Sequence, residues 1–408
     1  MTNEREIVLD TLLEIIEKNQ YSHILEKAVL DKYDYLESNQ KAFIKILTEG
    51  TLENVFALDK VINQVANTKT SKQKPLIRNL LRMSTYQILF LDKVPDSAAI
   101  NEAVKLAGKR GFRTLSGFVN GTLRNISRRK EELRASICDE DMYPEWMVKH
   151  FTDNYGKENA HILMAKMNEP HPVTVRIRKP MKDMSPFTPS AVLDNAYTVK
   201  KGISLSDIEG YGEGAFVVQD ISSQMVCHLA MIKPQDLVVD VCAAPGGKTI
   251  HAYDMGARVI SRDVSDSKVS LIEENLRRCQ ISEGVETQIY DATVIDDNLI
   301  EKADVVLCDV PCSGLGVIGK KADIRIKTAQ EDLTALLSIQ EKIVDAVWRY
   351  VKPGGILMYS TCTLNPAENR DRVKNILEQY PFKLVEEKQF IPGIDPTDGF
   401  YIAKLIRV

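Results

Sequence analysis

No uninterrupted apolar stretch in the 408 residues approaches the ~20 that a membrane-spanning helix requires. The start, Met1-Thr2-Asn3-Glu4-Arg5-Glu6, lacks the basic-then-apolar order of a secretory signal, so none is expected. Seven cysteines are an odd number and have no framework spacing, which argues against a disulfide scaffold and for reduced thiols in the cytoplasm. The six histidines are scattered, and His150, His161 and His171 form no ligand pattern. Cys308 and Cys312 have no second Cys or His pair to complete a zinc site, so no metal is expected. The dinucleotide fingerprint G-x-G-x-x-G is missing, which disfavours NAD. Internal repeats and low-complexity segments are absent as well.

The composition that remains, 44% hydrophobic and 27% charged, is that of an ordinary soluble chain long enough for two or three domains. Residues 1–134 carry 22 Lys+Arg against 17 Asp+Glu, while the remainder carries 31 against 40. A nucleic-acid partner would therefore be held by local basic patches rather than by net charge. The first 134 residues read as successive helices, with Leu76, Leu80, Leu81 and Tyr86 through Leu91 marking a central one that Val94-Pro95 terminates. Lys105, Lys109, Arg110 and Arg113 fall on one later helix, and Arg124, Arg128, Arg129 and Lys130 on the next. Such runs are either solvated helix faces or surfaces that follow phosphates, and charge alone does not separate the two.

A charged connection with some helix follows over 131–165. The texture then changes: Val173 through Arg178 alternates as a half-buried strand does, and prolines and glycines mark turns as far as about 232. This reads as a small α+β piece, in which Arg176, Arg178, Lys179 and Lys182 either meet RNA or are solvated. From about 233 strands and helices alternate with short loops. That pattern predicts a doubly wound parallel sheet with its ligands at the carboxyl ends of the strands.

The segment Asp240-Val241-Cys242-Ala243-Ala244-Pro245-Gly246-Gly247-Lys248-Thr249 follows a strand and opens a helix. Small residues let backbone amides approach a ligand, and a helix start favours negative charge. Gly247-Lys248-Thr249 matches the end of a phosphate-binding P-loop, but position 242, where that motif needs glycine, is Cys242. Asp263 at the end of the next strand is placed for a ribose hydroxyl, and Asp291 after the third for an adenine edge. One strand-end aspartate is usually a helix cap. Several beside a glycine loop argue for an adenosine-containing cofactor.

Two cysteines stand at further strand ends, Cys312 in Asp309-Val310-Pro311-Cys312-Ser313-Gly314 and Cys362 in Tyr359-Ser360-Thr361-Cys362-Thr363. A thiolate that adds to carbon 6 of a pyrimidine makes carbon 5 enamine-like and able to accept a methyl group from a sulfonium. Cys362 suits the attacking role. Asn365-Pro366-Ala367-Glu368 has the form of a capping box, and a thiol near a helix N-terminus has a lowered pKa. Asp309 suits the amino edge of cytosine, since carboxylates accept from that donor. The bland alternative makes both cysteines small core residues. It is adopted for Cys138, Cys227, Cys279 and Cys308, and Cys242 is read as a packing residue of the cofactor loop.

Leu80-Leu81-Arg82-Met83, Val94-Pro95, Ile100 through Ala107 and Phe118 through Leu123 resemble NusB, an all-helical RNA-binding factor. Residues 233–408 resemble the RNA cytosine-5 methyltransferases through Asp240–Thr249, Asp309–Gly316 and Tyr359–Asp371. Pro392, Asp398-Gly399-Phe400 and Ala403-Lys404-Leu405 match that family's closing segment. The fusion of the two resembles the RsmB (Sun, Fmu) family, whose members methylate a cytosine of 16S ribosomal RNA.

The resemblance implies a multidomain chain. Residues 1–134 would be a NusB-like helical RNA-binding domain, 135–232 linker helices with a small α+β RRM-like module, and 233–408 a Rossmann-like class I methyltransferase domain. It further implies S-adenosyl-L-methionine held by Cys242, Ala243, Ala244, Pro245, Gly246, Gly247, Lys248, Asp263, Asp291 and Asp309. Cys362 would be the nucleophile and Cys312 would assist product release, with Asp309 completing the catalytic set. The expected partner is 16S rRNA, naked or in a partly assembled small subunit, and a monomer without metal or membrane attachment is expected. Where the family shows Pro-Asp-Ile, a basic residue and then an aromatic, this chain has Lys320-Lys321-Ala322-Asp323-Ile324-Arg325-Ile326. Lys321, Asp323 and Arg325 are retained there, so the loop is expected still to work, with a fit to RNA that the missing proline and aromatic leave open. The alternatives are the same chemistry on tRNA or another rRNA site, and an RNA-binding transcription or ribosome-assembly factor without catalysis. DNA is disfavoured, because DNA enzymes of this chemistry generally take their nucleophile from the Pro-Cys position, here Cys312.

Overall fold

The computed structural model describes residues 3–408, which divide into two compact units. The first comprises the chain up to Asn168 together with residues 318–329. The second comprises residues 169–317 and 330–408.

The first unit is helical throughout, and its central helix is Pro75–Phe90. Pro75 starts it, since the N–H that proline lacks would be unpaired there anyway. Leu80, Leu81, Met83, Ile88 and Leu89 are fully buried within it. Each such side chain contributes about 1.5–3 kcal/mol on leaving water. Ser38–Glu53, Asp96–Lys109 and Ser116–Arg128 pack around this helix. A glycine permits one close approach, because a Cβ on Gly50 would stand 2.1 Å from the Tyr86 ring. The expected charged connection is more regular than anticipated: Glu145–Tyr155 and Lys157–Asn168 are helices of this unit.

The second unit holds two sheets. The smaller contains β1 (Thr174–Ile177), β2 (Phe187–Pro189), β3 (Ala196–Val199) and β4 (Phe216–Val218) in the order β2-β3-β1-β4, all antiparallel. The larger contains β5 (Leu237–Asp240), β6 (Arg258–Asp263), β7 (Val285–Ile289), β8 (Ala303–Asp309), β9 (Val351–Thr361), β10 (Phe382–Phe390) and β11 (Phe400–Arg407). Its order is β10-β11-β9-β8-β5-β6-β7. Strands β5 to β9 pair in parallel, and β11 pairs antiparallel with both β9 and β10. The sheet is thus mixed, whereas the sequence pattern predicted a parallel one, because the hairpin β10–β11 has no helix between its strands. The chain runs outward from β5 through β6 to β7 and then crosses to β8 on the other side of β5. That reversal opens a crevice at the carboxyl ends of the strands, the standard place for a ligand in such sheets.

Candidate active site

Asp240 ends β5, Asp263 ends β6, Asp309 ends β8, and Cys362 follows the last residue of β9. The topology therefore gathers residues scattered over more than 120 positions at one edge. The loop after β5 turns through Gly246 at φ +101°, a conformation that L side chains rarely adopt, and enters helix Gly247–Asp254. The Ala243 N–H donates to Arg262 O at 2.9 Å and the Ala244 N–H to Asp263 Oδ2 at 3.0 Å, which fixes the loop against β6. Asp263 also accepts from Lys268 at 3.0 Å. Asp291 lies two residues beyond β7, exposed, and accepts from the N–H and hydroxyl of Thr293. Those two bonds hold its carboxyl below its ordinary range.

Beneath the loop, Asp240 Oδ2 accepts from Thr249 Oγ1 at 2.8 Å, while its Oδ1 is buried without a partner. Burial pushes this carboxyl up to about 7. Lys248 donates to Asp309 Oδ2 at 2.6 Å. Burial pulls the ammonium down, but the Asp309 and Asp240 carboxylates outweigh it and hold the group above its ordinary value. Ser360 Oγ donates to Asp309 Oδ1 at 2.7 Å. Each Asp309 oxygen thus retains a lone pair, and the side chain is 27% exposed, enough to meet a substrate amino group. Cys242 is half-buried, and burial raises its thiol well above the ordinary value, as befits a neutral packing residue.

The two thiols meet, with 3.4 Å separating Cys312 Sγ from Cys362 Sγ. Cys312 is raised well above an ordinary thiol, first by its hydrogen bond to Cys362 and then by burial. The two sulfurs lie within hydrogen-bonding distance, and either thiol can donate its S–H to the other. The helix-dipole argument for Cys362 does not hold. Pro366–Glu368 is a single 3-10 turn, and helix Arg370–Gln379 begins eight residues after the cysteine. Asn365 Oδ1 does accept from the Ala367 N–H at 3.2 Å, but Glu368 does not close a capping box. Its carboxylate is fully buried and accepts from the Ser313 N–H (2.9 Å), Ser313 Oγ (2.5 Å), Gln340 Nε2 (2.9 Å) and Asn365 Nδ2 (3.0 Å). Sequence reasoning missed this role. The available signal was Gln340, an amide within the apolar helix Asp332–Val347 that a buried partner would have to satisfy.

The closing segment lies beside the cysteines. The Gly399 N–H donates to Gly316 O at 2.9 Å and the Gly316 N–H to Cys362 O at 3.1 Å. A Cβ on Gly316 would fall 2.0 Å from Gly399 O, so the backbones approach as only glycine allows.

Several expectations change. Arg176 and Arg178 do not face RNA: Arg176 is buried, Arg178's side chain is 4% exposed, and both bind Asp254. They hold β1 against helix Gly247–Asp254, because a guanidinium on a half-buried sheet face needs a carboxylate more than a distant phosphate does. Asp323 and Arg325 are likewise buried, within the helical unit. Arg325 donates to Glu53 O (2.9 Å) and Asn168 Oδ1 (2.8 Å), with its guanidinium 4.3 Å from the Tyr143 ring. Lys321 alone of the three retained residues is exposed. Cys138 is exposed rather than buried, with its thiol donating to Asp141 at 3.2 Å. Cys227, Cys279 and Cys308 are buried as expected. In the helical unit much of the basic run is paired: Lys105 with Glu102, Lys109 with Glu6, Arg110 with Asp10, Arg129 with Glu132.

The strand-end pocket fits an adenosyl sulfonium. Exposed Asp291 offers carboxylate oxygens to hydroxyl and amino donors, buried Asp263 keeps a lone pair on the Oδ2 that accepts from Ala244, the loop after β5 is lined by alanine and glycine, and Lys248 is already neutralised by Asp309. The fold and the site define an S-adenosylmethionine-dependent methyltransferase with a cysteine pair. The family model described as 16S rRNA methyltransferase RsmB/F matches residues 227–406, and that of the NusB family matches residues 2–128. The probable ribosomal RNA small subunit methyltransferase B of Bacillus subtilis (strain 168) is 32% identical over 99% of this chain and 98% of its own length. The ribosomal RNA small subunit methyltransferase B of Salmonella heidelberg (strain SL476) is 29% identical over 99% of both. The chain belongs to this RsmB family. In fold it is similar to the crystal structure of PH0851, with a TM-score of 0.82, 22% identity and 99% coverage of each chain. It is also similar to NSun6 from Pyrococcus horikoshii, solved with SFG, with a TM-score of 0.58, 21% identity, and 65% of this chain and 98% of that one covered.

Proposed function

We propose that this protein methylates carbon 5 of a cytosine in 16S ribosomal RNA, through a covalent bond between Cys362 and carbon 6 of the ring. The observation that carries this reading is the thiol pair 3.4 Å apart at the end of β9, beside the Asp309–Lys248 ion pair at the end of β8. Asp309 accepts from the cytosine amino group, and Lys248 holds that carboxylate in place. The Cys362 thiolate attacks carbon 6, and carbon 5 becomes nucleophilic. Residues 242–248 with Asp263, Asp291 and Asp309 would hold S-adenosylmethionine, which would supply the methyl group to carbon 5 as its S–CH3 bond breaks and the neutral thioether leaves. The carbon 5 proton then passes to water, and its electron pair restores the ring double bond. The pair of the carbon 6–sulfur bond returns to Cys362 as thiolate. The Cys312 S–H donates to that departing sulfur and so assists release.

The rest of the chain serves delivery. Residues 1–134 act as the RNA-binding helical domain, 135–232 as linker helices and a small α+β RRM-like module, and 233–408 as the catalytic domain. The enzyme works as a monomer in the cytoplasm, on naked rRNA or a partly assembled subunit.

The test is methyl transfer from labelled S-adenosylmethionine to unmethylated 16S rRNA, with tRNA alongside, followed by nucleoside analysis. 5-Methylcytidine in rRNA alone is expected. Label in tRNA alone would keep the mechanism and overturn the substrate. Cys362→Ala is expected to abolish transfer, and Cys312→Ala to leave protein covalently attached to RNA. An active Cys362→Ala enzyme would sink the covalent reading.

A further inference from the structure

We infer that two consecutive buried residues, Glu368 and Asn369, each position one of the two cysteines: Glu368 holds the Cys312 loop and Asn369 holds the Cys362 loop. The inference rests on the covalent reading above and goes beyond it by dividing the support of the two thiols between separate residues.

Glu368 and Asn369 are 0% and 1% exposed. The four donors around Glu368 fill the four lone-pair positions of a carboxylate. Two of them come from Ser313, the residue after Cys312. Gln340 Nε2, which donates to Glu368, also donates to Pro311 O at 3.0 Å, the residue before Cys312. Cys312 therefore stands between two residues anchored to one Glu368–Gln340 unit, and no strand pairing is needed to fix it. Charge-assisted bonds of this kind are about twice as strong as neutral ones.

Asn369 makes the matching arrangement one residue later. Its Oδ1 accepts from Thr361 Oγ1 at 2.5 Å, and its Nδ2 donates to Thr363 O at 3.0 Å and Gln389 Oε1 at 2.7 Å. Thr361 and Thr363 flank Cys362. The two assemblies are joined by the Ser313 and Thr363 hydroxyls 2.6 Å apart and by Asn365, whose Nδ2 donates to Glu368 Oε1 at 3.0 Å and whose N–H donates to Thr363 Oγ1 at 3.2 Å. Both side chains are buried away from any substrate, so both are positioning residues.

The division predicts opposite failures. In Glu368→Gln an amide N–H₂ must face at least one of the donors that the carboxylate accepted, which loosens the Cys312 loop and leaves the Cys362 loop held. Methyl transfer in the first turnover is expected to stay within about tenfold of the parent, with later turnovers falling by roughly 100-fold. Protein–RNA adduct should persist on denaturing gels. Asn369→Ala should lose the first turnover itself, by about 100-fold, and accumulate no adduct. Binding of S-adenosylmethionine by both variants within about threefold of the parent separates these effects from misfolding.

Gln340→Ala removes support for the same loop from outside it. It should trap adduct as Glu368→Gln does, but less, and so serves as a second test if Glu368→Gln does not fold. Cys312→Ala is run in parallel. If it fails to trap adduct, the covalent reading itself is wrong. If it traps adduct while Glu368→Gln loses first-turnover transfer or turns over normally, only the positioning inference is overturned.

Discussion

The helical unit and the strand ends of the larger sheet both bury charge, but they complete it differently. In the helical unit Arg82 spends its donors on neighbours: Nε and Nη2 reach the two oxygens of Asp59 at 2.7 and 2.6 Å, and Nη1 reaches Asn79 Oδ1 at 3.0 Å. Glu17 is closed off in the same way by Arg78 and Asn79. Burial alone would raise its carboxyl, yet those hydrogen bonds hold it below the ordinary range. At the strand ends Asp240 keeps an oxygen with no partner, and Asp309 keeps lone pairs toward solvent. Completed polar groups hold a fold together, whereas incomplete ones persist where a ligand completes them. Glu368 tells the two kinds apart inside the site: it is closed, so its work is support.

If the comparison holds, breaking an open group should cost activity and spare stability. Asp309→Asn is expected to lower methyl transfer by about 1,000-fold, since it removes both the acceptor for cytosine and the partner of Lys248. The melting temperature should move by only a few degrees, on the order of 1 kcal/mol. Steady-state transfer and a thermal melt on the same preparation check both halves. Activity within tenfold of the parent would place Asp309 with the closed groups.

Breaking a closed group should do the reverse. Arg82→Ala leaves the Asp59 carboxylate without its bidentate partner and is expected to cost about 3 kcal/mol. Removing both partners, as Arg82→Met with Asp59→Leu, should recover most of that loss, because the buried charge goes with them. Urea denaturation gives the stabilities. Transfer per folded molecule should be unchanged in both, and a selective loss of transfer would show that Arg82 serves the site.

How much of this was legible in sequence follows from the same distinction. Residues at strand ends were placed by periodicity, because an apolar run that stops at Asp240, Asp263 or Asp309 leaves little choice of where the side chain lies. The helical character of the first 134 residues was legible for the same reason. Partners were not. Arg176 and Arg178 read as either RNA-facing or solvated, and neither is the case, because nothing in a linear pattern shows Asp254, 76 residues or more away, waiting for them. Glu368 fitted a capping box three residues after Asn365, and only the fold brings Ser313 and Gln340 to it. Arg325 fitted a catalytic-loop motif, yet residues 318–329 fold with the helical unit. Spacing reports the local period of a chain, and buried charge is satisfied by distant residues.

The open carboxyl of Asp240 gives the smallest and most specific test. Its pKa of about 7 lies above that of an unfolded aspartate, so its contribution is full below about pH 4 and is lost as pH rises through 7. Across that window each pH unit costs about 1.4 kcal/mol, so stability should fall by about 2 kcal/mol between pH 5 and pH 7 on this account. His251 works in the opposite sense. Burial, with Arg176 and His228 nearby, lowers it to about 3, so its contribution is present above pH 6.5 and is lost as pH falls. The two slopes oppose each other between pH 5 and 6.5, and the parent's profile should be nearly flat there. Asp240→Asn removes one of them. The variant should carry a constant offset from the lost Thr249 geometry and, beyond it, gain about 2 kcal/mol relative to the parent from pH 5 to pH 7. Thermal melts over that range measure the difference. Profiles that superimpose after a constant offset would mean that Asp240 is ionised throughout, and its carboxylate would then be held as those of Asp59 and Glu17 are.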